Sequence, residues 1–98
     1  MPAKRTKIGQ AKHDRAVLNS AKWHEGHGYR VKADLPGYEK PKSIGGYVPD
    51  VIARKGKRTE KVIEVETKTS SKNDAPQQNA FRQYADRKGG RTFTKKVI

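Results

Sequence analysis

The sequence predicts a single-domain α/β fold, a β-sheet flanked by helices in the order helix, strand, strand, strand, helix, strand. Two segments with apolar residues at helical spacing, one towards each end of the chain, enclose an alternating strand and an apolar hairpin. A chain of 98 residues has room for one core. Residues 1–10 are expected to form a basic flexible arm, and residues 11–98 the domain.

The first half of the domain is predicted as a helix, a strand and a long loop. Apolar residues recur at helical spacing over residues 11–24, and Gly26 and Gly28 end that helix. Apolar and polar residues alternate over residues 29–33, which predicts a short, half-buried strand. Residues 35–46 are rich in proline and glycine and predict a loop, and loops of this length are often functional.

A β-hairpin is the clearest local feature. Residues 47–54 and 61–67 are two apolar strands around a polar turn. If the hairpin is centred near Lys57, Asp50 stands opposite Glu64 and both side chains leave the same face. A slip of one residue would place the two side chains on opposite faces.

The last part of the chain is predicted as a helix followed by a strand. Asp74 and Gln77 have the spacing of a capping box, and the helix that they begin runs to about residue 88 before two glycines. Residues 91–98 then form the last strand. Because a small domain needs aromatic area, most of the core is expected to come from Trp23, Tyr29, Phe81, Tyr84 and Phe93.

The charge of the chain points to a polyanionic partner. Lysine and arginine number 23 against 10 aspartate and glutamate, a formal charge of +13, which favours contact with nucleic acid over the alternative of a solvated basic surface.

The absence of cysteine excludes disulfides, thiolate catalysis and cysteine-based zinc sites. No segment has the apolar length of a membrane span or a secretory signal, so no membrane contact and a cytoplasmic location are expected.

Acidic residues within an apolar strand stand out against this basic background. Glu64 and Glu66 are two residues apart on one strand face, and Asp50 adds a third carboxylate from the neighbouring strand. Such a cluster is costly to bury, and a hard divalent cation, Mg²⁺ or Mn²⁺, relieves the repulsion. Asp50 and Glu64 would hold the ion, Glu66 would orient water, and Lys68 would stabilise developing charge. The alternative is an exposed sheet face on which the glutamates pair with lysines.

These residues resemble the PD-(D/E)XK nuclease superfamily. The likeness lies in Pro49-Asp50, in Glu64-Val65-Glu66 after an apolar strand, and in Gln77 opening the next helix. Residues 33–37 and 48–53 also resemble Holliday junction resolvases in layout, although the nearest likeness is to small uncharacterised members. The resemblance implies a mixed sheet of the restriction-endonuclease-like fold and magnesium-dependent cleavage of DNA. It also implies that the backbone carbonyl of Val65 joins Asp50 and Glu64 on the metal.

One position departs from the superfamily pattern. The lysine of the motif falls at position 66, where this chain has glutamate, although some restriction endonucleases of the superfamily carry glutamate there. A shifted motif ending at Lys68 would restore the lysine, but Glu64 is preferred as the ligand because Val65 is apolar and Asp50 stands opposite. If neither arrangement is competent, the chain is a degenerate member or a ribosomal-protein-like module that binds nucleic acid without cutting.

Two further candidates, Gln77 and Asp14, each have two interpretations. Gln77 with Phe81 is either an element beside the metal or a capping residue over the core, and Asp14 is either a further acid or a helix-face charge. The histidines share no ligand spacing with a carboxylate and are taken as surface or turn residues.

Tyr38 and Tyr47 are candidates for stacking on a base. A basic rim around the acidic site is expected from Lys40, Lys42, Lys55, Lys57 and Arg58. A homodimer would allow both strands of DNA to be cut.

Overall fold

Within the residues that the structure describes, two helices and four strands follow one another in the predicted order. The computed structural model describes residues 7–66 and 75–98. The elements are α1 Lys7–Gly26, β1 Arg30–Ala33, β2 Val51–Lys55, β3 Thr59–Glu66, α2 Ala75–Asp86 and β4 Arg91–Val97. The strands form one sheet in the order β1-β2-β3-β4. Within the described ranges, neither helix has the length and apolar character needed to cross a membrane.

The four strands form a mixed sheet, which confirms the predicted α/β class. β2 pairs antiparallel with both β1 and β3, whereas β3 and β4 run parallel. Parallel neighbours need a crossover connection, and the segment containing α2 supplies it. The β2–β3 hairpin pairs Val51 with Ile63 and Lys55 with Thr59, so it is centred at Lys57 as the sequence predicts.

Alternation along the strands divides the core into two layers. Odd-numbered residues of β2 and β3 pack against Val17 and Ala21 of α1, and they include Val51, Ala53, Ile63 and Val65. Residues of the other parity, Ile52 and Val62, pack with Ile44 of the long loop and with Phe81 of α2. This second face also carries Glu60, Glu64 and Glu66, since side chains two residues apart on a strand share a face.

Two boundaries differ from the prediction for clear reasons. α1 begins at Lys7, inside the segment that is predicted to be a flexible arm, because no proline or paired glycine interrupts the helix there. β2 begins at Val51 rather than at residue 47. Pro49 has no amide hydrogen to donate to the sheet, and Tyr47 instead closes a short turn with Ile44.

The prediction that Trp23 belongs to the core is wrong. Its side chain is 52% exposed, whereas Phe81 is fully buried. The buried face of α1 is formed by His13, Val17 and Ala21, which recur every fourth residue, and Trp23 lies two residues past Ala21 on another side of the helix. The layer beneath α1 is therefore built largely from small and aliphatic side chains rather than from tryptophan.

Candidate functional site

Asp50 and Glu64 are interlocked at the open end of the β2–β3 hairpin. The backbone N–H of Asp50 donates to Oε1 of Glu64 at 2.8 Å. The N–H of Val65 in turn donates to Oδ2 of Asp50 at 2.9 Å. These bonds continue the antiparallel pairing one step beyond Val51 and Ile63, with carboxylate oxygens in place of backbone carbonyls. The structure therefore brings the two acids together as the hairpin register predicts.

The glutamates of β3 are buried. Glu64 is 3% exposed and Glu66 is 1% exposed. The alternative of a solvent-exposed sheet face is therefore wrong. Burial comes from α2 and from the long loop, which cover this side of the sheet. Ionised carboxylates are expensive to bury, so each requires compensation from hydrogen bonds or from positive charge.

Glu60, on the same face of β3, shows what ordinary compensation looks like. Its carboxylate lies 3.1 Å from Nε of Arg54 and 4.0 Å from Nζ of Lys42. The hydroxyl of Tyr84 also donates to it. Burial would raise the pKa of Glu60, but the Tyr84 hydrogen bond and the positive charges of Arg54, Lys42 and Arg91 outweigh burial and hold that pKa below its usual value. Glu60 is thus a structural carboxylate with its own counter-charges.

Glu64 lacks this kind of compensation. Among the ion pairs of residues 7–66 and 75–98, none involves its carboxylate. Burial first, and then the negative charge of Asp50, raise the pKa of Glu64 to about 9, with a smaller contribution from Glu66, and the hydrogen bond from the Asp50 amide offsets only part of the rise. The ionised form of Glu64 is therefore unfavourable unless a cation joins the site.

This pKa predicts an unusual pH dependence for the metal-free protein. Between 4.5, the ordinary value, and about 9, Glu64 keeps a proton in the folded state that it releases on unfolding. The folded state then binds more protons, so the free energy of unfolding falls as pH rises through this window. Urea unfolding in a chelator at several pH values measures the effect. Glu64→Gln should flatten the profile, and an unchanged slope in that variant would contradict the assignment.

Gln77 joins the site from α2. Its Nε2 donates to Oε2 of Glu64 at 2.9 Å, so both oxygens of that carboxylate accept hydrogen bonds. Gln77 is the third residue of α2, and the first turn of the helix therefore lies over the end of β3. The structure brings Gln77 to the carboxylates, as the resemblance implies, while Asp74 of the alternative capping box and Lys68 lie outside the described residues.

His13 is a member of the site that the sequence analysis missed. Its Nε2 lies 3.2 Å from Oδ2 of Asp50, and its Nδ1 lies 3.3 Å from Oδ1 of Asp14. The histidine is 5% exposed, whereas the Asp14 side chain that contacts it is 48% exposed. The helical spacing contained the signal, since His13 precedes Val17 by one turn on the buried face.

The donor set suits a small divalent cation. Mg²⁺ is usually bound by one or two carboxylates with water completing its shell, and Asp50 and Glu64 supply two. The Asp50 side chain is 15% exposed, which leaves the site open to solvent. Among the residues that the structure describes, no set of three or more histidine, aspartate or glutamate side chains forms a ready-made metal site. Water and the Val65 carbonyl, which remains a predicted ligand, would supply the other positions.

A cationic groove lies on the sheet face opposite α1. It has a volume of about 830 Å³, and its lining includes Arg30, Lys32, Lys42, Ile52, Arg54 and Lys57, with Glu39 as an acidic member. Arg30 pairs with Arg54 and Lys32 with Ile52 on the neighbouring strands β1 and β2, so their side chains share this face. Ile52 is two residues from Asp50, which places the groove about 7 Å along the strand from the carboxylates.

The predicted basic rim is only partly realised. Lys42 and Lys57 line the groove, and Lys40 and Tyr47 are exposed in the long loop. Lys55, Lys57 and Arg58 do not surround the acids, because the turn of a hairpin lies at the opposite end from its open strands. Lys55 is five residues, about 17 Å, from Asp50. The arginines of β1 and β2 contribute more of the groove than the sequence analysis anticipated.

In comparisons with known proteins, no family model, curated protein or solved structure matches this chain. Membership of the PD-(D/E)XK superfamily therefore stays a prediction that rests on the residues of the site and on their arrangement.

Proposed function

We propose that this protein is a divalent-metal-dependent deoxyribonuclease of the PD-(D/E)XK type, which hydrolyses phosphodiester bonds in DNA. The observation that supports this most is the Asp50–Glu64 pair, in which the buried Glu64 and the partly buried Asp50 are interlocked through backbone amides and Glu64 accepts a hydrogen bond from Gln77. A structural role would call for counter-charges such as those around Glu60 on the same strand. A binding site for Mg²⁺ or Mn²⁺ accounts for two acids held side by side, one of them buried.

Each residue of the site has a proposed role. Asp50 and Glu64 would hold the cation, which when bound lowers the pKa of a water ligand and neutralises charge on the phosphate. Gln77 orients the Glu64 carboxylate through its hydrogen bond. His13 positions Asp50 from the other side of the site, as partners of ligating groups commonly do. Glu66 is the third acidic group and would orient the attacking water.

The cationic groove supports DNA as the substrate. Its arginines and lysines lie along the sheet face that leads to Asp50, so they can neutralise the phosphates on one side of the cut. Each phosphate contact of this kind releases counterions, and binding should weaken by about 0.9 log units per contact for each tenfold increase in salt. A charge of +13 on the whole chain is consistent with such a partner.

Cleavage of supercoiled plasmid tests the proposal, with Asp50→Asn as the diagnostic variant. Asparagine keeps an oxygen that can accept the Val65 hydrogen bond but removes the charge that a cation needs. We expect nicking with Mg²⁺ or Mn²⁺, none in a chelator, and a loss of roughly 100- to 1000-fold in the variant. Circular dichroism should show that the variant is folded. Nicking by folded Asp50→Asn at the rate of the unsubstituted protein would rule the site out.

The second candidate function is binding of nucleic acid without cleavage. The observation that favours it is Glu66, which stands where the superfamily pattern has lysine. Titration calorimetry distinguishes the two functions. A nuclease should take up Mg²⁺ in a manner that Glu64→Gln abolishes, whereas a non-catalytic module should bind DNA with equal affinity in the presence and absence of metal, and both should show salt-sensitive binding.

A further inference from the structure

The side chain of Trp23 is exposed and stacks on the ring of His27. It lies near the end of α1, and its ring stacks on His27 with 3.8 Å between centroids and an angle of 21° between planes. Nδ1 of His27 donates a hydrogen bond to the backbone carbonyl of Trp23 at 2.7 Å, and this bond holds the imidazole against the indole. The indole remains 52% exposed despite these contacts, so a large part of its surface is accessible to a ligand. The stacking and the hydrogen bond hold the ring in one orientation, with about half of its surface exposed.

Two lysines from the hairpin border this stack. Nζ of Lys61 lies 5.6 Å from the centroid of Trp23 and 4.9 Å from that of Tyr29. Nζ of Lys55 lies 5.2 Å from the centroid of Tyr29 and donates to the carbonyl of His27 at 3.1 Å. We call these five residues, Trp23, His27, Tyr29, Lys55 and Lys61, the Trp23 patch.

The composition of the Trp23 patch matches the chemistry of a single-stranded nucleic acid. Proteins that bind unpaired strands combine aromatic rings, on which bases stack, with cations that neutralise the flanking phosphates. A duplex buries the faces of its bases, so it cannot use an exposed ring in this way. The nearest acid in sequence, Glu25, is engaged by the hydroxyl of Tyr38 at 2.5 Å. An acidic protein would satisfy the lysines but would have no need for a stacked pair of rings.

We propose that the Trp23 patch binds unpaired nucleotides of DNA, with a base stacked on Trp23 and the adjacent phosphates on Lys55 and Lys61. Trp23 is ten residues from His13, which corresponds to about 15 Å along α1 between the Trp23 patch and the carboxylates. The binding itself does not depend on cleavage. Combined with the proposed function, it identifies the substrate as DNA that carries a single-stranded segment near the cut, such as a flap, a gap or a branch.

Trp23 is the one tryptophan of the chain, and its fluorescence therefore reports directly on this surface. An oligothymidylate is the probe, added to the full chain in a chelator so that no cleavage occurs. We expect quenching that saturates with the oligonucleotide. Anisotropy of a labelled oligonucleotide should show that Trp23→Ala weakens single-strand binding at least about fivefold, while affinity for a blunt duplex changes by less than about twofold. Trp23→Phe should retain part of the affinity, because phenylalanine still offers a ring.

A pair of charge variants controls for general electrostatics. Lys61→Gln should lower single-strand affinity, and it should reduce the salt dependence of binding by about 0.7 log units per tenfold change in salt. Lys96 is an exposed lysine on β4, away from the Trp23 patch. Lys96→Gln should therefore leave the effect of Trp23→Ala on single-strand affinity unchanged. Absence of quenching, or equal losses for single strand and duplex in Trp23→Ala, would overturn the proposal. Asp50→Asn separates the two proposals, since loss of cleavage there with intact quenching concerns the carboxylates and not the Trp23 patch.

Discussion

Glu64→Gln should nearly abolish metal-dependent cleavage and stabilise the metal-free protein, whereas Glu60→Gln should leave cleavage nearly unchanged and destabilise the fold. Both residues are buried glutamates on the same face of β3. Glu60 has counter-charges, and its pKa lies below the usual value. Glu64 is beside another acid, and its pKa is raised to about 9. The charge of Glu60 therefore stabilises the fold, while the charge of Glu64 destabilises it in the absence of a cation.

Glutamine fits position 64 without an unsatisfied amide. Its oxygen can accept from the Asp50 N–H, and Gln77 can turn its own amide so that its oxygen accepts from the new nitrogen. The variant should unfold at higher urea than the unsubstituted protein in a chelator at mildly alkaline pH. Nicking should fall roughly 100- to 1000-fold, since a ligand charge is lost.

Glu60→Gln serves as the matched control. It weakens charge-assisted hydrogen bonds with Arg54 and Tyr84 and should cost about 1–3 kcal/mol of unfolding free energy. Glu60 is four residues, about 13 Å, from Glu64, so nicking by the folded variant should stay within about threefold of the unsubstituted rate. Equal losses of nicking in the two folded variants would contradict the assignment of Glu64 as a metal ligand.

Gly90→Ala should be among the most destabilising single substitutions in the protein. Gly90 has a φ of 85°, and a Cβ built there would lie 1.9 Å from the carbonyl oxygen of Arg58. The carbonyl of Gly90 also accepts a hydrogen bond from Glu60 N–H at 2.9 Å, which ties this residue to β3 at the start of the parallel pairing. The backbone cannot move away from Arg58 without losing that bond.

The expected cost combines backbone strain with displacement of β4. A left-handed conformation costs alanine about 1–2 kcal/mol, and relief of the contact adds at least a similar amount, so a loss of about 3 kcal/mol or more is expected. This corresponds to a decrease in Tm of roughly 12 °C or more for a domain of this size. Thermal unfolding followed by circular dichroism measures it.

The neighbouring glycine provides the control for this substitution. No heavy atom lies within 4 Å of a Cβ built at Gly89, and its φ is outside the positive range. Gly89→Ala should therefore change the unfolding free energy by less than about 0.5 kcal/mol. If both alanine variants unfold at the same temperature, close packing of Gly90 against Arg58 is not what begins β4.

Local pattern was sufficient for the elements and for the central pair of acids. The order of helices and strands follows from apolar periodicity, which depends only on residues near one another in the chain. The opposition of Asp50 and Glu64 also follows, because the polar turn centres the hairpin at Lys57 and this register places both residues on one face. A predicted contact between Gln77 and Glu64 required the family pattern in addition.

Tertiary packing decided the features that join distant segments. His13 reaches Asp50 from a helix 37 residues earlier, and only the docking of α1 on the sheet determines which of its turns meets the hairpin. The arginines of β1 and β2 become one groove because their shared face is the one that α1 leaves uncovered. Trp23 is exposed because the small residues Val17 and Ala21 already fill the contact between α1 and the sheet. Periodicity identifies the members of a helix face, but the packing of the whole chain determines what that face meets.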